Sequence, residues 1–248
     1  MAIPNGFDAA DFAAPIPART DSVFRIVHTG YLHTDIGLRQ RKMAAAHRLV
    51  GGGTPGVDIL TRSHLFLLEA VERLVARDPS LGSRIEIVLA GVLSPSDLAV
   101  AERSPFVRTP GYLSHAATIG LMRSADLLFL PMQNLPPGRR SATVPGKTYE
   151  YLASQRPILA AVPEGDAQDI LLQAGTAHIC RPDDINAMAL GIETELERWR
   201  TGAPVPKVPR SLLERYERRA LAAEFAALVD TVTGLQAGPA NRSAPSAA

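Results

Sequence analysis

Short runs that are apolar on both faces, alternating with stretches of helical period, set the first limit on what this chain can fold into. Val23-Phe24-Arg25-Ile26-Val27-His28, Ile85 to Leu89, Asp126-Leu127-Leu128-Phe129-Leu130-Pro131, Pro157-Ile158-Leu159-Ala160-Ala161-Val162 and Thr176 to Cys180 read as strands, with a shorter one at Phe106-Val107-Arg108. Between them the period changes. From Ser63, Leu65, Leu68, Leu74 and Val75 fall on one side of a helix, with Glu69, Glu72 and Arg73 largely on the other. Further helices are expected around His115 to Arg123, over Ala167 to Gln173 up to Gly175, and from a cap at Asp183 or Asp184 to about Arg200. Strands without a polar face need cover on both sides, and helices between them supply it. The expected class is α/β, a parallel sheet with helices on both faces.

The remaining segments are read around that body. Residues 1–20, rich in Ala, Pro and Asp, show no period and are expected to be a lead-in outside the core, with the main domain at 21–200. Leu38 to Val50 is basic and compatible with a helix, and Gly51 to Gly56 is a mobile or sharply turned loop. Residues 201–210 hold three prolines and read as a linker, 211–235 as a C-terminal amphipathic helix, and 236–248 as a disordered tail. The apolar positions expected in that helix are Leu213, Tyr216, Ala220, Phe225 and Leu228.

Charge excludes some partners. With 26 basic and 25 acidic side chains the net charge is +1, so no global field draws nucleic acid, and no nucleic-acid partner is expected. Cys180 is the sole cysteine, which rules out an internal disulfide and suits a reducing compartment. No apolar run reaches the roughly 20 residues that span a bilayer, and the N-terminus lacks a basic head and an apolar signal core. The expected location is cytoplasmic.

One stretch combines chemistry with position: Val144-Pro145-Gly146-Lys147-Thr148-Tyr149-Glu150-Tyr151-Leu152-Ala153, running on to Pro157. Val144, Pro145 and Gly146 can open a helix, since Pro is tolerated where no intrahelical donor is needed. A helix start favours phosphate, and a carboxylate one turn inside, Glu150, suits ribose hydroxyls. Thr29-Gly30, just past the first strand, marks where an α/β fold lets its backbone approach a ligand.

In their order and spacing four stretches resemble the nucleotide-sugar-binding half of retaining GT-B glycosyltransferases of the group 1 (GT4) family. They are Ile3-Pro4-Asn5-Gly6-Phe7-Asp8 with Phe12, Thr29-Gly30, Arg62-Ser63 ahead of Leu67-Leu68-Glu69-Ala70, and Pro145-Gly146-Lys147 with Glu150-Tyr151-Leu152-Ala153 and Pro157. The match spans roughly residues 3 to 200. The resemblance implies a Rossmann-like sheet, the C-terminal half of a GT-B fold, and a nucleotide-diphosphate sugar as substrate, with no cofactor and no metal. It implies roles as well. Glu150 accepts both ribose hydroxyls, Arg62 stands where relatives more often carry Lys for the diphosphate, and Gly30 admits the diphosphate to the backbone. Val144, Pro145, Gly146 and Lys147 border the phosphate, and Tyr112 and Leu113 line the base pocket.

Each role has a plainer competitor. Glu150 can pair with Lys147, Arg62 and Gly30 can be ordinary surface and turn residues, and Tyr112 can pack on the domain surface. For Lys147 a solvated side chain is the favoured reading, and for His33, which follows Gly30, a surface position. A second Glu that many retaining relatives carry eight residues before the ribose-binding one is replaced by Ala142. Arg139 and Arg140 are weighed as phosphate contacts against a solvated pair. The run from Arg39 to Arg48 is weighed as a peripheral contact with an anionic membrane against a solvated face, which is preferred. The six histidines have no zinc-ligand spacing.

The leading expectation is therefore a glycosyltransferase donor domain. In the family a second, N-terminal Rossmann-like domain binds the acceptor, and here the match starts a few residues from Met1. The expected explanations are a truncated gene or an acceptor-binding subunit on another polypeptide. A non-catalytic nucleotide-sugar-binding subunit or relic is the alternative, with a GT-B-like epimerase third. An uncovered final helix is expected to favour self-association.

Overall fold

A computed structural model of the chain describes residues 3–16, 19–50 and 56–233, with residues 44–50 described by their backbone alone. The strands are β1 (Phe24–Thr29), β2 (Ile85–Ala90), β3 (Val107–Gly111), β4 (Leu127–Pro131), β5 (Ile158–Ala161) and β6 (Ala177–Cys180). All pairings are parallel, and the sheet order is β3-β2-β1-β4-β5-β6. The expected Rossmann-like sheet is the one observed. Chain direction across the sheet reverses between β1 and β4, and α/β sheets of this order bind ligands there, beyond the carboxyl ends of the strands.

Alternate residues of each strand feed two cores. Val27, Val88, Leu128, Leu130, Ile158 and Ala160 point to one face, and Ile26, Ile87, Leu89, Leu127, Phe129 and Leu159 to the other. The first face is covered by α4 (His115–Arg123), α5 (Lys147–Ala153), α6 (Asp166–Ala174) and α8 (Arg210–Arg215). The second is covered by α2 (Leu65–Arg77) and α7 (Ile185–Thr201), which pack against each other. Caps fix the helix starts: Ser94 opens α3 (Pro95–Ala101) and Asp184 opens α7, each accepting a backbone N–H three residues on.

Several expectations change. The short strand read at 106–108 lies at Val107–Gly111, because its pairing with β2 runs from Ile87–Val107 on to Ala90–Gly111. The basic helix begins earlier than Leu38, as α1 (Thr34–Val50). The lead-in is not outside the core. Phe7 is buried, meets Phe12 edge-to-face, donates its N–H to Tyr216 O (3.1 Å) and accepts from Arg218 N–H (2.9 Å).

That clasp also explains why the last helix is not one. Residues 216 to 218 pair with Phe7 instead of continuing the helical ladder, so α8 ends and α9 (Arg218–Thr233) restarts. Tyr216 is buried and Leu213 packs against the core, but Ala220 and Phe225 are exposed, with Val229 and Val232 beside them. Only Leu221 of α9 is buried. Residues 203–209 carry no regular structure, while most of the glycine loop, 51–55, and the tail 236–248 lie outside the described residues.

Candidate functional site

The carboxyl ends of β1, β2 and β3 share one construction. β1 is followed by Gly30, β2 by Gly91, and β3 ends on Gly111, all at positive φ. Gly30 N–H donates to Ala90 O (2.7 Å) and Gly91 N–H to Gly111 O (2.9 Å), so the rim stays hydrogen-bonded as the chain turns away. A Cβ on Gly91 would lie 2.9 Å from Gly30 O, and one on Gly30 2.9 Å from Lys147 Nζ. The residues that follow, Tyr31, Val92 and Tyr112, are 65%, 52% and 81% exposed.

Helix α5 is fastened to this rim by two side chains one turn apart. Tyr151 is fully buried, and its hydroxyl accepts Thr29 N–H (3.1 Å). Lys147 donates from Nζ to Thr29 O (2.5 Å) and to His28 Nε2 (3.3 Å). His28 Nδ1 lies 3.0 Å from Phe129 O, and a carbonyl can only accept. The proton therefore sits on Nδ1 and Nε2 offers its lone pair to the lysine. Burial, with the Lys147 charge beside it, holds the His28 imidazole well below its usual pKa. The favoured sequence reading of Lys147 as a solvated side chain is thus overturned. Burial and then the charge of Arg62 push its pKa down to about 7, with Glu150 partly opposing.

Arg62 sits in the segment leading to α2, and that segment is pinned from two sides. Its carbonyl accepts His33 N–H (2.8 Å) from the connection after β1. The neighbouring Thr61 hydroxyl accepts Asn134 N–H (2.7 Å) at the exit of β4, and its one proton lies between Asp58 O (2.8 Å) and Met132 O (3.1 Å). The Arg62 guanidinium is partly buried, which lowers its pKa, and it makes no ion pair with any described residue. His33 is half-buried, not on the surface as favoured; burial and then Arg62 lower its pKa.

The structure thus brings together Gly30, Arg62 and Lys147, with His33 beside them. Glu150 is half-buried on α5, and its carboxylate makes neither a hydrogen bond nor an ion pair with any described residue, so the Lys147–Glu150 pair weighed above does not form. Val144 packs against the core and Pro145 accepts Thr148 N–H (2.9 Å), which seats α5. The N–H groups of Gly146 and Lys147 are left open among the described residues. Tyr112 and Leu113 lie two strands from β1, about 10 Å away at normal strand spacing. Tyr112 projects into solvent instead of packing on the surface.

Ala142 is exposed. Arg140 is exposed and pairs with Asp169 (2.5 Å). Among the described residues no group of three or more His, Cys, Asp or Glu side chains is placed to hold a metal ion, and no helix is long and apolar enough to cross a membrane. Sequence reasoning missed Tyr151, His28 and Thr61. The spacing of four between Lys147 and Tyr151 was the available signal, because it puts both on one helix face.

Partly buried cations without carboxylate partners, beside a glycine at the switch point of a doubly wound sheet, define a class: a doubly wound α/β protein with an open cationic rim at its switch point. Residues 59–198 match the family described as glycosyl transferases group 1, and the chain belongs to that family. No curated protein matches it in sequence. Solved structures match in fold. Sucrose-phosphate synthase from Thermosynechococcus elongatus aligns at 16% identity over 94% of this chain and 53% of its own, with a TM-score of 0.59. A glycosyltransferase from Rickettsia africae aligns at 14% identity over 94% and 57%, with a TM-score of 0.60. Anabaena HepE, solved with UDP, aligns at 15% over 92% and 57%, with a TM-score of 0.58. The chain spans about half the length of these proteins.

Proposed function

We propose that the chain is the donor-binding, C-terminal half of a GT4-type glycosyltransferase that holds a nucleotide-diphosphate sugar for transfer, with retention, to an acceptor on a second Rossmann-like domain. The observation that carries this reading is the pairing of two unneutralised cations, Arg62 and Lys147, with an unpaired carboxylate, Glu150, at the switch point of the sheet. The diphosphate lies against Gly30, Arg62 and Lys147, where the Arg62 guanidinium and a Lys147 ammonium kept protonated by the phosphates offset the charge that develops on the departing nucleotide. Val144, Pro145 and Gly146 border it, and the open N–H groups of Gly146 and Lys147 are donors for its oxygens. Glu150 takes the ribose hydroxyls, its two oxygens accepting one bond each. Tyr112 and Leu113 offer the base an apolar edge at the end of β3. The setting proposed for this activity is the cytoplasm, and no cofactor is required.

Calorimetry with UDP, GDP and ADP tests the reading. UDP comes first because HepE was solved with UDP and glucose. Binding of one of them by the wild type and its loss in Glu150→Ala is the expected result; no binding of any would sink the proposal. A second reading, a nucleotide-sugar-binding subunit without turnover, is favoured by Ala142, which leaves the loop before α5 without the second carboxylate. Hydrolysis or transfer of a sugar nucleotide by the purified chain would exclude it.

A further inference from the structure

Beneath the donor site lies a carboxylate that the proposed function does not use. Asp97, in the first turn of α3, is fully buried, as are Thr34 and His64. Its Oδ2 accepts both the N–H (2.9 Å) and the hydroxyl (2.7 Å) of Ser94. Its Oδ1 accepts the hydroxyl of Thr34, the first residue of α1. His64 Nδ1 stands 3.9 Å from the same oxygen, and neither ring nitrogen of His64 has a hydrogen-bond partner. Burial pushes the His64 pKa down to about 4, with Asp97 opposing, so the ring is neutral and the carboxylate has no cationic partner.

For capping alone a charge is unnecessary. A neutral acceptor caps a helix as well, and burying an unpaired carboxylate is costly. The placement shows what the charge joins. Thr34 follows β1, Ser94 follows β2, and His64 sits two residues past Arg62. His33, next to Thr34, donates its N–H to the Arg62 carbonyl. Three segments of the same rim therefore meet at one carboxylate: Thr34 and Ser94 are hydrogen-bonded to it, and His64, next but one to Arg62, packs beside it without a bond.

We propose that Asp97 is a positioning residue for the donor site: through Thr34 and His33 on one side and His64 on the other, it fixes the backbone that aims the Arg62 guanidinium over the end of β1. This inference rests on the donor-binding reading. The titratable groups facing this region are Arg62, Lys147 and His33 at the site and the neutral His64 beneath it.

The test is a double-mutant cycle read by calorimetry with UDP and with inorganic pyrophosphate on the full chain. Thr34→Val cuts the tie to α1 but leaves the α3 cap intact, while Asp97→Asn keeps an acceptor for that cap and removes the charge. Each is expected to weaken UDP binding about tenfold when Arg62 is present and less than about twofold in an Arg62→Ala background. Asp78→Ala removes a capping carboxylate that accepts from Ser80 near the opposite rim, and is expected to lower stability with affinity unchanged. Equal losses with and without Arg62, or unchanged affinity in a folded Thr34→Val, would overturn the positioning role alone. A wild type that binds neither UDP nor pyrophosphate would overturn the donor-binding reading and this inference with it.

Discussion

The two rims of the sheet treat most of their charge differently. At the amino ends of the strands three arginines are matched by carboxylates, while Arg156, before β5, donates to the Arg123 carbonyl (2.7 Å). Arg19 pairs with Asp126 (2.6 Å) and Asp21 (2.5 Å), Arg25 with Glu86 (2.6 Å) and Asp21 (3.2 Å), and Arg108 with Glu86 (2.7 Å). Hydrogen bonding to Arg19 holds Asp21 at a pKa of about 2. At the carboxyl ends Arg62 and Glu150 pair with nothing described, and Lys147 rests on a carbonyl and a neutral imidazole. Leaving charges unpaired in partial burial costs stability, and proteins bear that cost chiefly at functional sites, which is the role proposed for this rim.

The largest test of this contrast exchanges damage between rims. Glu150→Ala and Arg62→Ala should each weaken nucleotide binding about a hundredfold, roughly 2.7 kcal/mol, with urea stability unchanged or raised. Asp126→Ala, which strips partners from Arg19 and from Arg25 N–H, should do the reverse, costing about 2 kcal/mol of stability with affinity unchanged. Gly91→Ala follows. Its φ of 133° and the 2.9 Å approach of a Cβ to Gly30 O should cost about 2 kcal/mol in urea unfolding and reduce binding as well.

Acid should then separate the rims. His64 has a folded pKa of about 4 against 6.5, so the unfolded chain binds more protons between these values. The stability from keeping it neutral is complete above pH 6.5 and is lost as pH falls toward 4. Unfolding at pH 6.5 and pH 5 should differ by about 1.5 kcal/mol from this group. His64→Leu should remove that slope, while Asp21 stays ionised across the range. The smallest effect concerns the ligand. A polyanion beside Lys147 raises its pKa from about 7, so binding takes up a proton above that value and affinity falls as pH rises. Between pH 7 and 8 the loss should be about fivefold, absent in Lys147→Met.

The body of the fold was legible because strands buried on both faces leave an unbroken apolar run, as at Leu127 to Leu130. Phe7 escaped because one aromatic in an aperiodic segment carries no period, and the break at Tyr216 because only a distant partner makes it. In the candidate site, Gly30, Gly146 and Glu150 were singled out from their places relative to predicted strand and helix ends, and Arg62 through the family resemblance. Lys147 was misread and Asp97 was not noticed. Both depend on what lies beneath them, and the burial of a charge is set by packing that no local spacing reports. The same holds for Tyr151, whose hydroxyl meets a backbone group 122 residues away in sequence.

The three glycines that close β1, β2 and β3 have a consequence for how such a chain can change over time. Each ends its strand with the ladder still bonded and sends the next side chain, Tyr31, Val92 or Tyr112, out of the packed interior. All three side chains are more than half exposed, so the edge proposed to meet a ligand can drift in chemistry while the scaffold stays fixed. New preferences can arise at this edge through single replacements, without first passing through a destabilised protein.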